Sequence, residues 1–387
     1  MLTIERTKDF QTLIQQADLW NGLAGGVPFR ETSWLGSWWK HVADDACEPF
    51  VLMAKDQQGN IVGILPLYEK LPRVGGSKVL GIMGDGEVCS DYLSILVSPD
   101  DAVEVATAMA DFLLMHSQTE GLRWDEIELD GIIEDDLPMM TFIEVLKEQG
   151  ATMHSCSRLS TWFKASEDSW DAHLKTMSKS RRRKTKRLCE SVTTNDRLDL
   201  VFPSDQQEVQ ERLTAMIALH QKRWNEAGRP GSFASECVRG FIMDAALDFF
   251  ARGLLYLPTI TLDGEAIGSE FNLIGGNKRL YSYSVGVDTD KYDYQPGNLL
   301  QWLDFQYIYR NEMEGMDMMR GDEEYKKRMQ AVSKRIFEIR IAAPRLMPRI
   351  RQAVWSTGFC MKQWVRESVG RAPIEVVDFP CASQFQL

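Results

Sequence analysis

Apolar runs separated by glycine turns are the most regular feature of this sequence. Residues 51–68 (VLMAKDQQGNIVGILPLY) and 255–274 (LYLPTITLDGEAIGSEFNLI) each have two apolar runs on either side of a glycine-containing turn, a pattern that predicts a β-hairpin. Aligning Gly59 with Gly264 offsets the segments by 205 positions (264 minus 59), and similar aliphatic residues follow both turns. The match suggests an internal duplication, although any two hairpins with glycine turns are alike in sequence.

Similar elements surround both predicted hairpins. An aromatic-rich helix, TSWLGSWWKHVA, precedes the first, and a strand at 124–129 with helices near 102–116 and 140–148 follows it. The second is followed by the strand RLYSYSVGVD, a helix that begins at Pro296, a strand at 316–319 and a helix around 323–329. Each half is therefore predicted to be a mixed α+β domain. We place the boundaries near 155 and 335, and we expect 336–387 to be a basic helical C-terminal extension.

Composition places the chain among globular proteins. Its 387 residues are 44% hydrophobic and 26% charged, which suits two domains of ordinary size. The first twenty residues lack the basic start and apolar stretch of an export signal, and no later segment approaches the roughly 20 apolar residues of a membrane helix. Seven scattered cysteines and five histidines without ligand spacing favour neither a disulfide framework nor a metal site. We expect a cytoplasmic protein without a metal.

Charge is distributed unevenly. The net charge of -12 disfavours a general nucleic-acid binder, which neutralises phosphates with an excess of Lys and Arg. Yet residues 175–187 read KTMSKSRRRKTKR, and nine Lys or Arg between 334 and 371 accompany only two Glu. These two basic patches are candidate contacts for a tRNA or an anionic membrane surface, and solvated charge is the alternative interpretation.

The segment DYQPGNLLQWLDFQYIY, residues 293–309, follows an alternating strand that contains Val285 and Val287. A strand, a loop and then Pro296-Gly297 at the start of an apolar-periodic helix bring free backbone N–H groups and the positive end of the helix dipole together. Such a helix start can bind a pyrophosphate. We therefore consider Gln295, Pro296, Gly297 and Asn298, with Val285 and Val287, as candidate cofactor contacts. Proline is also common in the first turn of helices that bind no ligand.

This succession of elements resembles the GNAT acyltransferase core, and residues from about 160 to 330 resemble its CelD-like branch, which is related to the tandem-GNAT Fem ligases. Pro296-Gly297 and the closing segment GMDMMRGDEEYK (315–326) carry the resemblance, and the first half matches only in outline. It implies two tandem GNAT-like domains, each a mixed, mostly antiparallel sheet flanked by helices, with 1–155 degenerate and 156–335 catalytic. The usual GNAT pyrophosphate motif, with a second small residue after its glycine, is reduced here to QPGN.

The resemblance also implies roles for individual residues. Acyl transfer requires a base for the acceptor, donors for the oxyanion and an acid for the leaving thiolate. Glu270 is the candidate base and Tyr325 the candidate acid, with a solvent-facing charge and a packing aromatic as the respective alternatives. Asp322 is a third catalytic candidate, and a helix N-cap is its simpler interpretation.

Basic residues near the same elements are candidate contacts for an anionic acceptor. Arg320 and Lys326 lie in the closing segment, and Arg181 and Arg183 lie in the basic run. Together these features predict an N-acyltransferase that uses acetyl-CoA or another acyl-CoA and a small or sugar-linked amine. The resemblance to the CelD-like branch suggests a place in polysaccharide or envelope biosynthesis. The alternatives are a Fem-like aminoacyltransferase that uses charged tRNA, and a GNAT-fold binding protein without catalysis.

Overall fold

A computed structural model describes residues 2–71, 76–368 and 374–382, and these form two compact units. Unit 1 comprises the described residues within Met1–Trp39, Ala43–Thr161 and Lys334–Leu387, and unit 2 comprises Lys40–Val42 and Trp162–Ser333. The chain thus leaves unit 1 after Thr161 and returns to it at Lys334. The sequence-based domain boundaries near 155 and 335 stay predictions about functional domains.

The strands, numbered along the described chain, are β1 (Thr3–Thr7), β2 (Glu48–Lys55), β3 (Ile61–Glu69), β4 (Val79–Ile82), β5 (Leu96–Val97), β6 (Glu126–Ile133), β7 (Thr152–Ala165), β8 (Leu198–Val201), β9 (Leu255–Tyr256), β10 (Thr259–Leu262), β11 (Glu265–Ile274), β12 (Arg279–Val287), β13 (Gly315–Arg320), β14 (Val332–Ala342) and β15 (Glu375–Val376).

The helices are α1 (Phe10–Ile14), α2 (Ala17–Leu23), α3 (Thr32–His41), α4 (Ala102–Met115), α5 (Leu137–Glu148), α6 (Trp170–Lys175), α7 (Lys179–Thr194), α8 (Gln206–Glu226), α9 (Glu236–Ala251), α10 (Pro296–Arg310), α11 (Glu324–Arg328) and α12 (Leu346–Ser368).

In unit 1, the predicted hairpin forms from β2 and β3, which pair antiparallel from Glu48/Glu69 to Lys55/Ile61. The sheet order is β1-β2-β3-β4-β6-β14, and β4 and β6 are parallel because helix α4 crosses between them. Helix α3 covers this sheet with two fully buried tryptophans. The indole of Trp34 donates to Ser90 Oγ at 2.8 Å, and that of Trp38 donates to the Asp85 carbonyl at 3.0 Å. The aromatic-rich segment is therefore a core helix with satisfied indole N–H groups.

Unit 2 contains the second predicted hairpin, in which β10 and β11 pair antiparallel around an Asp263-Gly264 turn. The sheet order is β13-β12-β11-β10-β8, and helix α10 crosses between the parallel strands β12 and β13. Helix α10 is buried on two sides. Leu299, Leu300 and Leu303 pack in one apolar cluster with the hairpin, whereas Trp302, Phe305 and Ile308 pack in another. Any polar side chain on this helix that faces the sheet is thus removed from water.

The cores of the two units have the same order of strands and helices. In each, an antiparallel hairpin is followed by a third antiparallel strand, a helix and a strand parallel to the third. This common topology extends the similarity of the two hairpin segments to complete α+β domains. The chain therefore has the predicted fold class, two tandem domains that each hold a mixed, mostly antiparallel sheet flanked by helices.

The C-terminal segment expected to be helical begins with a strand. Strand β14 pairs antiparallel with β6 from Ile336/Ile133 to Ala342/Glu126, and helix α12 starts only at Leu346. Arg340, one of the basic residues of the predicted extension, pairs with both Glu126 and Glu128 in this sheet. Residues 369–373 and 383–387 of the expected extension lie outside the described residues.

Candidate functional site

The start of helix α10 lies at the end of strand β12, as the sequence predicts. A 3-10 turn, Thr289–Tyr294, connects them, and Gln295 adopts a left-handed conformation (φ 52°, ψ 48°) as the N-cap without a capping side-chain hydrogen bond. The first bond of the helix runs from the Leu299 N–H to the Gln295 carbonyl at 2.9 Å. The N–H groups of Gly297 and Asn298 belong to the first turn, where a helix supplies no acceptor of its own. This helix start therefore presents donors and a positive dipole end.

Two glycines shape this corner. A Cβ added to Gly268 on β11 would lie 2.9 Å from Pro296 Cβ and 3.1 Å from Leu300 Cδ1, so the strand packs directly against the start of α10. A Cβ added to Gly297 would meet only Val287 Cγ1, at the ordinary distance of 3.5 Å. Gly297 is thus not needed for packing, and a side chain there would project into open space beside the helix start. Val287, one of the predicted contacts, is buried at this place.

Strands β12 and β13 are paired over only a short length. Their partners run from Arg279/Gly315 to Tyr281/Asp317, while β12 continues to Val287 and β13 to Arg320. The β11–β12 register also shifts between Phe271 and Asn272, a bulge that leaves Tyr283 without an opposite residue. The end of β13 bends as well, since Met319 has φ 54° and its N–H donates to Asp317 Oδ1 at 2.9 Å. The parallel strands therefore pair at one end and are unpaired at the end where α10 begins.

Glu270 lies on β11 opposite Val285 of β12, two residues along the strand from Gly268. Because side chains alternate along a strand, Glu270 shares the face of Gly268 and points towards α10. The side chain is 4% exposed, and Asn272 Nδ2 donates to its Oε2 at 3.0 Å. A solvent-facing position, the alternative interpretation for this residue, is wrong.

A second acid shares this buried place. Asp304 on α10 is 0% exposed, and neither of its oxygens accepts a hydrogen bond from a donor among the described residues. Burial and the adjacent Glu270 carboxylate raise the pKa of Asp304 well above its usual range. Burial also raises the pKa of Glu270, although hydrogen bonds from Asp304 and Asn272 oppose this shift. Two adjacent buried carboxyl groups are most stable when they share a proton, with Asp304 as the donor to Glu270.

Sequence reasoning missed Asp304 and Asn272. One signal was available for Asp304, because an acid in the run NLLQWLDFQYIY stands among apolar residues on a helix that is buried on two sides. The sequence contains no signal for Asn272, since an amide two residues after an acid is common in strands of any environment. The two side chains complete a polar cluster of Glu270, Asn272 and Asp304.

Burial and the charges of the carboxyl cluster raise the pKa of two tyrosines, Tyr256 and Tyr325. Burial is the main cause of the raised pKa of Tyr256, and the negative charges of Asp304 and Glu270 add to it. The centroids of the Tyr256 and Tyr307 rings are 4.1 Å apart. Tyr325, at the start of α11, is 37% exposed. Burial around its phenol group and the charges of Glu323 and Glu270 raise its pKa, against the opposing charge of Arg223. The structure thus brings Glu270 and Tyr325 into one electrostatic neighbourhood.

Asp322 is not the helix N-cap that the sequence suggested. Glu323 occupies the N-cap position of α11, without a side-chain capping bond. Asp322 instead accepts a hydrogen bond from the indole of Trp162 at 3.1 Å, which fixes the end of the loop that follows β13.

Lys326 is almost fully buried, with 1% exposure. Its ammonium donates to the carbonyls of Met319, Arg320 and Gly321 at 3.0, 3.1 and 3.0 Å and pairs with Glu323 at 3.0 Å. An ammonium has three N–H donors, and all of them are used by this loop. Lys326 therefore anchors the loop after β13, a geometry that does not favour the predicted contact with an acceptor. Arg320 at the end of β13 is half-buried.

The basic run forms most of helix α7. Arg183 is exposed, whereas Arg181 is half-buried, with its guanidinium carbon 5.8 Å from the ring centroid of Trp302. Arg181, Trp302, His173 and Arg328 line a cavity of about 200 Å³. Burial and the nearby charge of Lys164 lower the pKa of His173 to about 4, so this histidine is neutral at pH 7. The cavity therefore carries the two arginine charges.

The described residues contain neither a candidate metal site nor a candidate membrane span. No group of three or more His, Cys, Asp or Glu side chains in this part of the chain is arranged to hold a metal ion. Among helices α1 to α12, none combines the length and apolar character that crossing a bilayer requires.

Comparisons with known proteins show the same fold. Residues 179–327 match the family model of the acetyltransferase (GNAT) domain, which covers α7 to α11 of unit 2. The crystal structure of FemX superposes with a TM-score of 0.60 at 12% identity, covering 90% of this chain and 99% of that one. No curated protein matches the chain in sequence.

Two other solved structures share the fold. A conserved protein of unknown function from Bacteroides thetaiotaomicron VPI-5482 has a TM-score of 0.53 at 12% identity, covering 88% of this chain and 100% of that one. The structure of L-PGS from Bacillus licheniformis has a TM-score of 0.50 at 11% identity, covering 88% and 94%. Such low identities show a common fold, and donor and acceptor do not follow from them.

Proposed function

We propose that this protein is an acyl-CoA-dependent N-acyltransferase with its catalytic site in unit 2. It transfers an acetyl or other acyl group to an amine of a small or sugar-linked acceptor, and the CelD-like resemblance directs this proposal towards polysaccharide or envelope biosynthesis. One observation carries the proposal. The uncapped start of α10 adjoins the end of β12, and Glu270 pairs with Val285 only two residues before that end. At about 3.3 Å per residue, the helix start and the buried acid are roughly 7 Å apart along the sheet.

The donor fits this corner by its chemistry. The pyrophosphate of coenzyme A would lie on the N–H groups of Gly297 and Asn298, where the helix dipole favours an anion. The pantetheine arm would follow β12 past Val287 and Val285, in the interval where β12 and β13 are no longer paired. Backbone N–H groups of β12 in that interval would then be available to polarise the thioester carbonyl.

The transfer itself needs two proton movements. The acceptor amine attacks the thioester carbonyl carbon, its proton passes to Glu270 directly or through water, and the carbon–sulfur bond breaks as the thiolate takes a proton from the Tyr325 phenol. A raised pKa makes Glu270 a stronger base than an ordinary carboxylate. The Tyr325 phenol, like any tyrosine, is protonated at neutral pH and can donate. We assign Asp304 as the group that positions Glu270, because it is the buried partner of this carboxyl group.

A Fem-like aminoacyl transfer from charged tRNA is the second candidate function. It is favoured by the exposed basic side chains of α7, namely Arg183, Lys184, Lys186 and Arg187, which could neutralise phosphates. In that case the ester of the aminoacyl-tRNA would replace the thioester at the same carboxyl cluster. A GNAT-fold binding protein without catalysis is the outcome if neither donor binds.

Thermal unfolding of the full chain distinguishes these functions. A ligand that binds only the folded protein raises the unfolding midpoint by mass action. We expect acetyl-CoA or a longer acyl-CoA to raise it, and tRNA to leave it unchanged. A shift with tRNA and none with any acyl-CoA would contradict the proposal and support aminoacyl transfer. No shift with either would support the binding protein.

A further inference from the structure

Helix α12 packs against unit 1 with one face. Pro348 and Gln352 are buried, and Arg340 Nε donates to Gln352 Oε1 at 3.0 Å. Trp355 and Phe359 continue this face, since their ring centroids lie 4.9 and 4.7 Å from that of His154. These four positions follow the three- and four-residue spacing of one helix face. The helix is therefore fixed on the protein by this side.

The opposite face of α12 is apolar and exposed. Met361 is 66% exposed and Trp364 is 71% exposed, although both are large apolar side chains. Seven exposed apolar residues lie on this side of the helix. Consecutive members are one, three, four or seven positions apart, which keeps them on one helix face. They are Leu346, Met347, Ile350, Val354, Met361, Trp364 and Val365. Single exposed apolar residues are ordinary, whereas seven on one face of a helix, spread over about five and a half turns, mark a surface that something covers. We call these seven residues the α12 stripe.

Charge identifies what covers the α12 stripe. Helix α12 contains the basic residues Arg349, Arg351, Lys362 and Arg366 and the single acid Glu367, a net charge of +3. The complete chain has a net charge of -12. This helix is thus a positive, apolar surface on an acidic protein, and an anionic occupant complements both of its properties.

We propose that the α12 stripe binds an anionic lipid surface, with the helix axis parallel to the bilayer. In this orientation the apolar side chains enter the boundary between headgroups and acyl chains, Trp364 lies at the interface, and the exposed Lys362 reaches the phosphates beside the stripe. A second copy of this chain fits the α12 stripe less well, because it would bring another helix of charge +3 against the first. This inference is independent of the proposed acyl transfer.

Flotation of the full-length protein with lipid vesicles tests this proposal. We expect the protein to float with vesicles that contain about one third phosphatidylglycerol, and to bind vesicles of phosphatidylcholine alone at least about tenfold more weakly. The double variant Val354→Asp, Met361→Asp should lose at least about tenfold in partitioning, because it places two charges on the face that enters the bilayer. Lys362→Gln should lose about fivefold, and only on anionic vesicles.

Met115→Asp is the matched control. Met115 ends helix α4 and is 78% exposed, so it is a similar apolar-to-acid change outside the α12 stripe. It should float like the parent, and all variants should keep the parental unfolding midpoint because their side chains are exposed. Failure of the parent to float at low salt would overturn the proposal, and so would equal flotation of the double variant. Sedimentation velocity gives the remaining alternative: a parental dimer that the double variant dissociates would assign the α12 stripe to self-association instead.

Discussion

At the residue scale, the central feature is a pair of carboxyl groups in an enclosed place. Glu270 receives a hydrogen bond from Asn272, whereas Asp304 has no donor among the described residues. An ionised Asp304 beside an ionised Glu270 would combine desolvation with repulsion, and both effects favour retention of one proton. The pair therefore has a stored proton at neutral pH, next to the surface where we propose that the thioester lies.

Replacing Glu270 with Gln should lower acyl-transfer turnover by about a hundredfold to ten-thousandfold, since the amide is not a base. Affinity for acyl-CoA should stay near the parental value, because the proposed donor contacts are backbone groups of α10. Steady-state kinetics with an amine acceptor and calorimetry with acetyl-CoA measure the two effects. Glu265→Gln, an exposed acid on the same strand, is the control and should match the parent. Parental turnover in Glu270→Gln would exclude this residue as the base.

Asp304→Asn should change how stability depends on pH. Because the folded-state pKa of Asp304 is raised, its contribution to stability is fully present below the unfolded pKa of about 4 and is lost as pH rises through the folded value. The amide does not titrate and still donates to Glu270. We expect the variant to be more stable than the parent at pH 8, by on the order of 1 kcal/mol, and not at pH 4. Urea unfolding at both pH values measures this, and a pH-independent loss of stability would contradict the shared proton.

The sequence identified Glu270 and Tyr325 as candidates because each follows an element with a clear pattern. It did not reveal their environment. Glu270 lies in GSEF, where the alternation of side chains does not show which face of the strand is buried. The buried face is the one on which Gly268 packs against Pro296 of helix α10. Asp304 was missed because its importance arises from a neighbour 34 positions earlier in the chain (304 minus 270), a relation that helical periodicity does not contain.

At the element scale, the loop after β13 is held by one buried cation. Lys326→Met removes the donor to three carbonyls, and we expect it to lower the free energy of unfolding by about 2–3 kcal/mol. It should also weaken catalysis, since Tyr325 is its neighbour on α11. Lys327→Met is the matched control, because Lys327 is exposed and pairs only with Glu324 at 3.7 Å among the described residues. It should change stability by less than about 0.5 kcal/mol. Equal losses in chemical denaturation would show that the loop does not depend on Lys326.

Elements with strong local signals were predicted correctly. Both hairpins and the helix beginning at Pro296 are confirmed, because glycine turns and apolar periodicity act within a few residues. Strand β14 was expected to be part of a helical extension. Its basic residues are part of the run that suggested a basic helical extension, and its partner β6 lies about two hundred positions earlier in the chain. Such non-local pairing overrides local composition.

At the scale of the whole molecule, two units repeat one arrangement of hairpin, strand, helix and parallel strand. The acyl-CoA proposal concerns only unit 2, where the start of α10 is uncapped and the carboxyl pair adjoins it. In unit 1, the equivalent helix α4 also follows a 3-10 turn, and its N-cap, Asp101, likewise makes no side-chain capping bond. An uncapped helix start is thus common to both units, and the buried carboxyl pair on β11 and α10 is the reason we propose the donor site in unit 2.

Calorimetric titration of acetyl-CoA into the full chain tests the central claim most directly, with Gly297→Val and Gly22→Val measured beside the parent. Both glycines are helical, and a Cβ meets nothing within 4 Å at Gly22 and only Val287 at Gly297. Both variants should therefore fold. We expect the parent to bind, Gly22→Val to bind equally, and Gly297→Val to bind at least about tenfold more weakly because its side chain occupies the place of the pyrophosphate. Undiminished binding by Gly297→Val, or no binding by the parent, would contradict it.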